Sequence, residues 1–394
     1  MTASPLLAVL AQVAAVLFVL LLSAAAAASA LVLQRMRASP YISSSPQPPP
    51  ISIIKPLCGA PEWLEQALRT WFTLSTGAPM QIVFVAADHS DPAWEVVAQL
   101  QHEFPERDVS RVITGPAPTN WLLKTWNLES GVTAARHDLL LLVDADTLAD
   151  REVVLDLVLR LQCPPKPGLR PIAAAYAHPV VARAQGIGGI FDAAVTNFTT
   201  LLIQPLLNKL GIDELSPFCL ISRATLQKAG GFRAIQKQIA DDISLGRCLK
   251  NLGYRLSLSP FPISTVSSHM SFSEFFTHQT RWLVTWRVSA GFSAAFAFLY
   301  SSTAFAVAGL LLSTSSRVAW AIVAGVALAE MILMLFVEFE LNLRTPSPLQ
   351  VVLAPFALLA QQFIALASAF TNRVRWAGTS YQLNRRGTIL RRWQ

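Results

Sequence analysis

Hydrophobic and polar positions fall into two regimes along the chain. Residues 5–33 carry no charged side chain, and three further apolar runs occupy about 288–312, 317–337 and 349–371. Each is long enough to cross a hydrocarbon core of ~30 Å, which takes ~20 helical residues. Between them, from about 51 to 285, the apolar positions come in short bursts separated by turns and charges. "ISII" (51–54), "QIVFVAA" (81–87), "RVIT" (111–114) and "DLLLLV" (138–143) read as buried strands. "PEWLEQALRTWF" (61–72), "DPAWEVVAQLQHEF" (91–104) and "LKTWNLESGVTAA" (123–135) alternate with them and show helical spacing. Short all-apolar strands alternating with helices predict an α/β domain with a mostly parallel sheet covered on both faces. Ligands of such sheets bind beyond the carboxyl ends of the strands, near a switch in strand order.

Two segments are intermediate in character. Residues 186–212 are apolar but interrupted by Asp192, Pro205 and Lys209, and 271–289 mix aromatic and basic residues. Both are expected to lie in the bilayer interface. The expected organisation is a transmembrane helix over 1–34, a Ser/Pro-rich linker over 35–50, a cytosolic catalytic domain over 51–285, a transmembrane region over 288–371 and a basic tail over 372–394.

The first apolar run exceeds a signal peptide's core and lacks a basic leader, so an anchor is expected, although "SAAAAASA" is reminiscent of a cleavage region. Arg35 and Arg37 follow it at once, which places the domain on the cytoplasmic side. If every apolar run crossed, the tail would fall on the opposite side. The tail's charge argues instead for the cytoplasm, with 288–312 re-entering or 186–212 dipping in.

Composition supports a membrane protein: 53% of residues are hydrophobic and only 14% charged, too apolar for an ordinary soluble chain. The net charge of +7 does not point to nucleic acid. Arg373, Arg375, Arg385, Arg386, Arg391 and Arg392 all follow the last apolar run, where anionic headgroups are the expected partner. No nucleic-acid-binding motif accompanies them. The four cysteines are scattered without a CxxC pair, so neither a zinc site nor a disulfide framework is signalled.

Chemistry concentrates in three acidic clusters. "VFVAADHSDP" supplies Asp88 and Asp91, "LLLLVDADT" supplies Asp144 and Asp146, and "KQIADDISLG" supplies Asp241 and Asp242. A single acid at a strand end usually caps the next helix. Asp144 and Asp146 go further, because a D-x-D turn straight after an apolar strand projects two carboxylates from one rim. Such a pair suits a hard divalent ion that keeps positions open for phosphate.

The order of Asp88, "DAD", "ADD" and then "HQTRW" (278–282) resembles the inverting nucleotide-sugar glycosyltransferases of GT-A fold. "SIIKPLCGA" (52–60), the "DHSDP" turn and "WAGTSYQLNRRGT" (376–388) resemble, more narrowly, the ceramide glucosyltransferase family and its bacterial relatives that glycosylate hopanoid lipids. The resemblance covers about 50–390. It implies a UDP-sugar donor, a membrane lipid acceptor that is a ceramide or a hopanoid, and a divalent metal, Mn2+ or Mg2+. By the same resemblance, Asp88 contacts the uridine, with Asp91 in the same turn, and Lys124 and Asn127 lie beside the nucleotide. Asp144 and Asp146 hold the metal–diphosphate, and His269 is a further candidate ligand. Asp242 is the general base that takes the acceptor hydroxyl proton.

Within "HQTRW", His278 occupies a place where Gln or Arg is commoner. Arg281 offers a planar cation to the diphosphate, and Trp282 an apolar wall with one N–H donor near the acceptor. The alternative is an interfacial Arg-Trp anchor. The expected reaction transfers a hexose, glucose first, to a lipid hydroxyl. Hopanoid N-acetylglucosaminyl transfer, a processive polysaccharide synthase and an inactive binding scaffold are the rival readings. Arg in excess of Lys and abundant Ala suggest a bacterial inner membrane.

Overall fold

The computed structural model describes residues 5–38, 48–163, 168–211, 214–290, 302–313, 316–376 and 378–393. Most of the expected linker, and residues 291–301 of the apolar run at 288–312, lie outside them. The chain divides into two compact units. One comprises residues 35–183, 207–268 and 375–394, and the other residues 1–34, 184–206 and 269–374.

The first unit is built on a seven-stranded sheet. Its strands are β1 (Ile51–Pro56), β2 (Met80–Ala86), β3 (Asp108–Ile113), β4 (Leu139–Leu142), β5 (Ile172–Tyr176), β7 (Cys219–Ser222) and β8 (Arg255–Leu258), in the order β3-β2-β1-β4-β7-β5-β8. β6 (Pro179–Gln185) pairs with β9 (Ile263–His269) apart from it. Pairing is parallel from β3 through β4 and between β5 and β8, whereas β7 runs antiparallel to both its neighbours. The expected mostly parallel sheet is present, with one reversed strand that was not read from the sequence.

Strand alternation explains why the apolar runs are continuous. Ile53, Phe84 and Leu141 point to one face, against Leu68, Trp71 and Phe72 of helix Leu64–Thr73 and Val153 and Leu157 of helix Arg151–Gln162. Ile54, Val83, Val85, Leu140 and Leu142 point to the other, where Leu128 of helix Leu123–Ala134 and Leu245 and Leu249 of helix Asp241–Asn251 cover them. With both faces covered, no polar position survives except where it is used. Order reverses between β1 and β4, so the crevice at their carboxyl ends is the switch point. "DAD" follows β4 directly at this place.

The second unit gathers the apolar helices. Among the described residues, four helices are long and apolar enough to cross a membrane: Pro5–Arg37, Gly186–Leu210, Arg317–Leu341 and Pro348–Ser368. This set differs from the four apolar runs of the sequence. Gly186–Leu210 qualifies by its length and apolar composition, and its Asp192 is only 2% exposed. The described end of the 288–312 run is the helix Ser302–Leu312, whose 11 residues rise only about 16 Å.

Two buried carboxylates inside this unit are well paired. Glu338 accepts from Asn197, Asn342 and Gln350 at 2.6–2.9 Å, and Glu330 accepts from the backbone and hydroxyl of Thr303. Helices Gly186–Leu210 and Phe272–Ala290 meet at Gly188, where an added Cβ would fall inside the van der Waals shell of the Ser271 carbonyl. Backbone cannot yield as a side-chain tip can, and overpacking costs about 1–3 kcal/mol. Gly188→Ala is expected at the upper end, read as a lowered melting temperature of the detergent-purified chain. An unchanged melting temperature would show that the junction tolerates a methyl group.

Candidate active site

The switch-point crevice brings together the second and third acidic clusters. Lys124, in the first turn of helix Leu123–Ala134, places Nζ 2.8 Å from Asp144 Oδ1 and 3.2 Å from Asp241 Oδ2. Asp241 and Asp242 open helix Asp241–Asn251, where carboxylates meet the positive end of the helix dipole. Asp242 Oδ1 accepts from the Ile243 N–H at 2.8 Å. Lys124, Asp144, Asp241, Asp242, Ser216 and Cys219 line one small cavity. Three acids and one lysine are thus drawn together from positions up to 118 residues apart.

Electrostatics differentiate these groups. Burial pushes the Asp242 carboxyl up to about 7, and the neighbouring Asp241 pushes the same way. Burial also raises Asp241, although Lys124 opposes it. For Lys124, burial alone would lower the ammonium, but Asp144, Asp241 and Asp242 outweigh it and hold its pKa well above the ordinary lysine value. Beneath them lies a second lysine that sequence reasoning missed. Lys55 of β1 is fully buried, donates to the Asp144 carbonyl at 2.7 Å and stands 4.9 Å from the Trp71 ring centroid. Burial draws its pKa down to about 7 against the pull of Asp146 and Asp144. A lysine inside "ISIIKP", an otherwise apolar strand, was the available signal.

The first acidic cluster is split in role. Asp88 is exposed and accepts from the backbone and hydroxyl of Ser90 at 2.8 and 2.9 Å. Those bonds, the backbone one first, hold its carboxyl below the usual range. The Asp91 carboxylate accepts from Gly59 and Ala93 N–H groups, tying the loop after β1 to helix Ala93–Glu103. Asn127 is buried and accepts from the Thr114 hydroxyl at 2.9 Å. Asp146 accepts a backbone bond from Val266 through its carbonyl.

The tail belongs to this unit from residue 375 onward. β10 (Arg373–Trp376), β11 (Thr379–Leu383) and β12 (Ile389–Trp393) form a three-stranded sheet. Arg392 donates to the Ala117 and Trp121 carbonyls just before Lys124, and Gln238, shortly before Asp241, bridges to Thr388. The Trp376 ring lies 6.0 Å from Lys124 Nζ. The tail therefore braces both segments that carry the site.

"HQTRW" lies on helix Phe272–Ala290 of the second unit. His278 Nδ1 is 2.8 Å from Asp192 Oδ1, and Gln279 donates to the same oxygen at 2.7 Å. The His278 and Trp282 rings sit 5.4 Å apart. Asp192 and Gln279 escaped sequence reasoning, which took Asp192 only as an interruption. Arg281 is half-buried, and His269 ends β9 exposed.

Among the described residues, no three His, Cys, Asp or Glu side chains converge as a ready-made metal cage. A cation shared with donor phosphates needs only one or two carboxylates. The hard oxygens of Asp144 and Asp146, at the strand end where the crevice opens, fit such an ion.

Ceramide glucosyltransferases 1 and 3 of Caenorhabditis elegans are each 24% identical to this chain, over 243 and 236 residues. These stretches are 61% and 60% of this chain and 51% and 50% of theirs. The chain thus spans about half the length of the curated relatives it matches. Among solved structures, a Pyrobaculum calidifontis mannosyltransferase in complex with GDP-Man and Mn2+ is similar, with a TM-score of 0.46 and 13% identity, covering 91% of this chain and 97% of that one. Glucosyl-3-phosphoglycerate synthase of Mycobacterium tuberculosis, with Mn2+ and UDP, gives 0.37 and 16%, over 60% and 77%. The family model described as glycosyl transferase family 21 matches residues 15–389, spanning both units and the braced tail. With its GT-A sheet and apolar helices inside that single match, the chain belongs to glycosyl transferase family 21.

Proposed function

We propose that the chain transfers a hexose, glucose in the first instance, from a UDP-sugar to the hydroxyl of a membrane lipid, ceramide, with inversion at the anomeric carbon. The observation that carries this reading is Asp242: a half-buried carboxylate whose pKa desolvation raises to about 7, sharing a crevice with Lys124 and Asp144. A general base works best with a pKa close to the working pH. The names of the curated relatives support the donor sugar and the acceptor.

In this mechanism Asp88 receives the nucleoside end of the donor, with Asn127 holding the neighbouring loop through Thr114. Lys124 orients the diphosphate and balances the acids around it. A divalent cation, Mn2+ or Mg2+, held by Asp144 and Asp146 would neutralise charge growing on the departing diphosphate. Asp242 takes the acceptor hydroxyl proton as that oxygen attacks the anomeric carbon and the bond to UDP breaks. Trp282 serves the acceptor, and the sheet-bearing unit faces the cytosol, where sugar nucleotide is available.

The test is incorporation of radiolabel from UDP-glucose into extracted lipid by membranes expressing the chain, with ceramide supplied. A glucosylated ceramide supports the reading. Label entering lipid only from UDP-N-acetylglucosamine with a hopanoid would overturn it.

A further inference from the structure

Helices Gly186–Leu210, Phe272–Ala290 and Pro348–Ser368 enclose a cavity of about 70 Å³, all of it within the unit of apolar helices. Its wall is unusual for that setting. Thr196, Thr199, Gln204, Gln279 and Gln361 supply polar groups, Trp282 and its neighbours supply apolar surface, and no lining residue is charged. Polar side chains among apolar helices are costly unless they are paired.

Some of them are paired. Thr199 donates to the Val195 carbonyl at 2.7 Å, and Gln279 donates to Asp192. Two are not. Gln204 Oε1 is buried without a hydrogen-bond partner. Gln361 is 2% exposed, lines the cavity, and makes no side-chain hydrogen bond among the described residues. Gln361 thus presents an unpaired primary amide to one small space, and the unpaired Gln204 oxygen is closed off in the wall beside it. A buried amide left in this state points to a ligand that completes it.

Size and charge restrict that ligand. A buried water takes up roughly 10–15 Å³ of such space, so the cavity admits a few water-sized groups, such as an amide. It excludes a sugar ring or an alkyl chain. A phosphate would lose its hydration with no cation in the wall to replace it. Trp282 lines the cavity yet is 39% exposed, so it stands at the mouth, and it belongs to "HQTRW".

We propose that this cavity receives the amide of the acceptor, and that Gln361 selects an uncharged lipid whose head carries an amide beside its hydroxyl over an anionic lipid. The assignment rests on the lipid-glycosylating function proposed above. Gln361 is then a specificity-determining residue that touches the acceptor and leaves the donor alone.

The experiment uses the full chain in phosphatidylcholine nanodiscs and a ceramide bearing a diazirine next to its amide. Photolabel is expected on peptides containing residues 196–204, 282–286 or 361, displaced by unlabelled ceramide and not by phosphatidic acid. Gln361→Leu is expected to raise the acceptor KM about tenfold, the scale of one or two lost hydrogen bonds, with UDP affinity unchanged. Without lipid it should melt no lower than wild type, because it removes an unpaired buried amide. A merely structural glutamine would do the reverse. Gln361→Glu, nearly the same shape, should lose labelling as well. Labelling elsewhere, or unchanged labelling and KM in Gln361→Leu, would overturn the assignment. Labelling of this cavity by a chain that transfers no sugar would sink the proposed reaction and uphold the site.

Discussion

Asp242→Asn is expected to lower the transfer rate by about 10²–10⁴, the range that general acid–base catalysis contributes, while UDP-sugar affinity stays level or improves. Asparagine keeps the shape and can still accept from the Ile243 N–H, but it cannot take a proton. It also removes one negative charge from a crevice that must receive a diphosphate, so the donor has no reason to bind more weakly. Asp241→Asn should behave differently. Asp241 holds Lys124 at 3.2 Å, so its loss should be felt in donor affinity as well as in rate.

The pH dependence follows from the same group. The base works deprotonated, and burial places its pKa at about 7. Transfer should therefore rise with pH through that region, with about a tenth of the chains competent one unit below it. The check is single-turnover transfer from labelled UDP-sugar between pH 5.5 and 8.5, wild type beside the variant. Undiminished transfer by Asp242→Asn, or a flat wild-type profile, would remove Asp242 from the role of base.

The first half of the sheet was legible because β1, β2 and β4 are apolar runs bounded by turns, and their parallel pairing follows from alternation with helices; β3, whose residues are all at least partly exposed, showed only through "RVIT". The second half was not. β5, β7 and β8 are only four or five residues long, and nothing in "CLIS" announces that it runs antiparallel. The acids were legible singly, as residues that an apolar strand end does not hide. Their convergence was not, since Lys124, Asp144 and Asp241 are joined by topology and by no local pattern. Asp192 shows the limit most plainly. In sequence it breaks an apolar run, and in the fold it is the buried acceptor for His278 and Gln279. The arginine-rich tail likewise read as a charged surface, yet Arg392 is taken up by the Ala117 and Trp121 carbonyls. A guanidinium beside a membrane and one capping backbone carbonyls are identical as letters.

Lys124→Met should have the broadest effect, on stability, donor binding and pH profile together. The methionine keeps most of the side-chain volume and removes a cation that touches both Asp144 and Asp241. Asp241 is 10% exposed at its side chain and Lys124 13%, so water cannot replace the lost partner, and breaking such a pair costs about 3–5 kcal/mol. Asp144, at 37%, is screened and adds little. The lysine stays protonated throughout the working range because the acids around it hold its pKa above the ordinary value. Its loss therefore removes a fixed charge rather than a titrating one. Without that charge, Asp241 and Asp242 repel each other unopposed and proton release from Asp242 moves to higher pH. The residual transfer of Lys124→Met should accordingly need more alkaline solution than wild type. Lys124→Arg keeps the charge and should recover stability before activity, since a planar guanidinium does not reproduce a point contact to two carboxylates. Melting of the purified chain, UDP affinity and the pH–rate profile would be measured on all three proteins. A methionine variant matching wild type in melting and profile would mean that the acids are compensated from elsewhere, and that Lys124 is not the centre of the site.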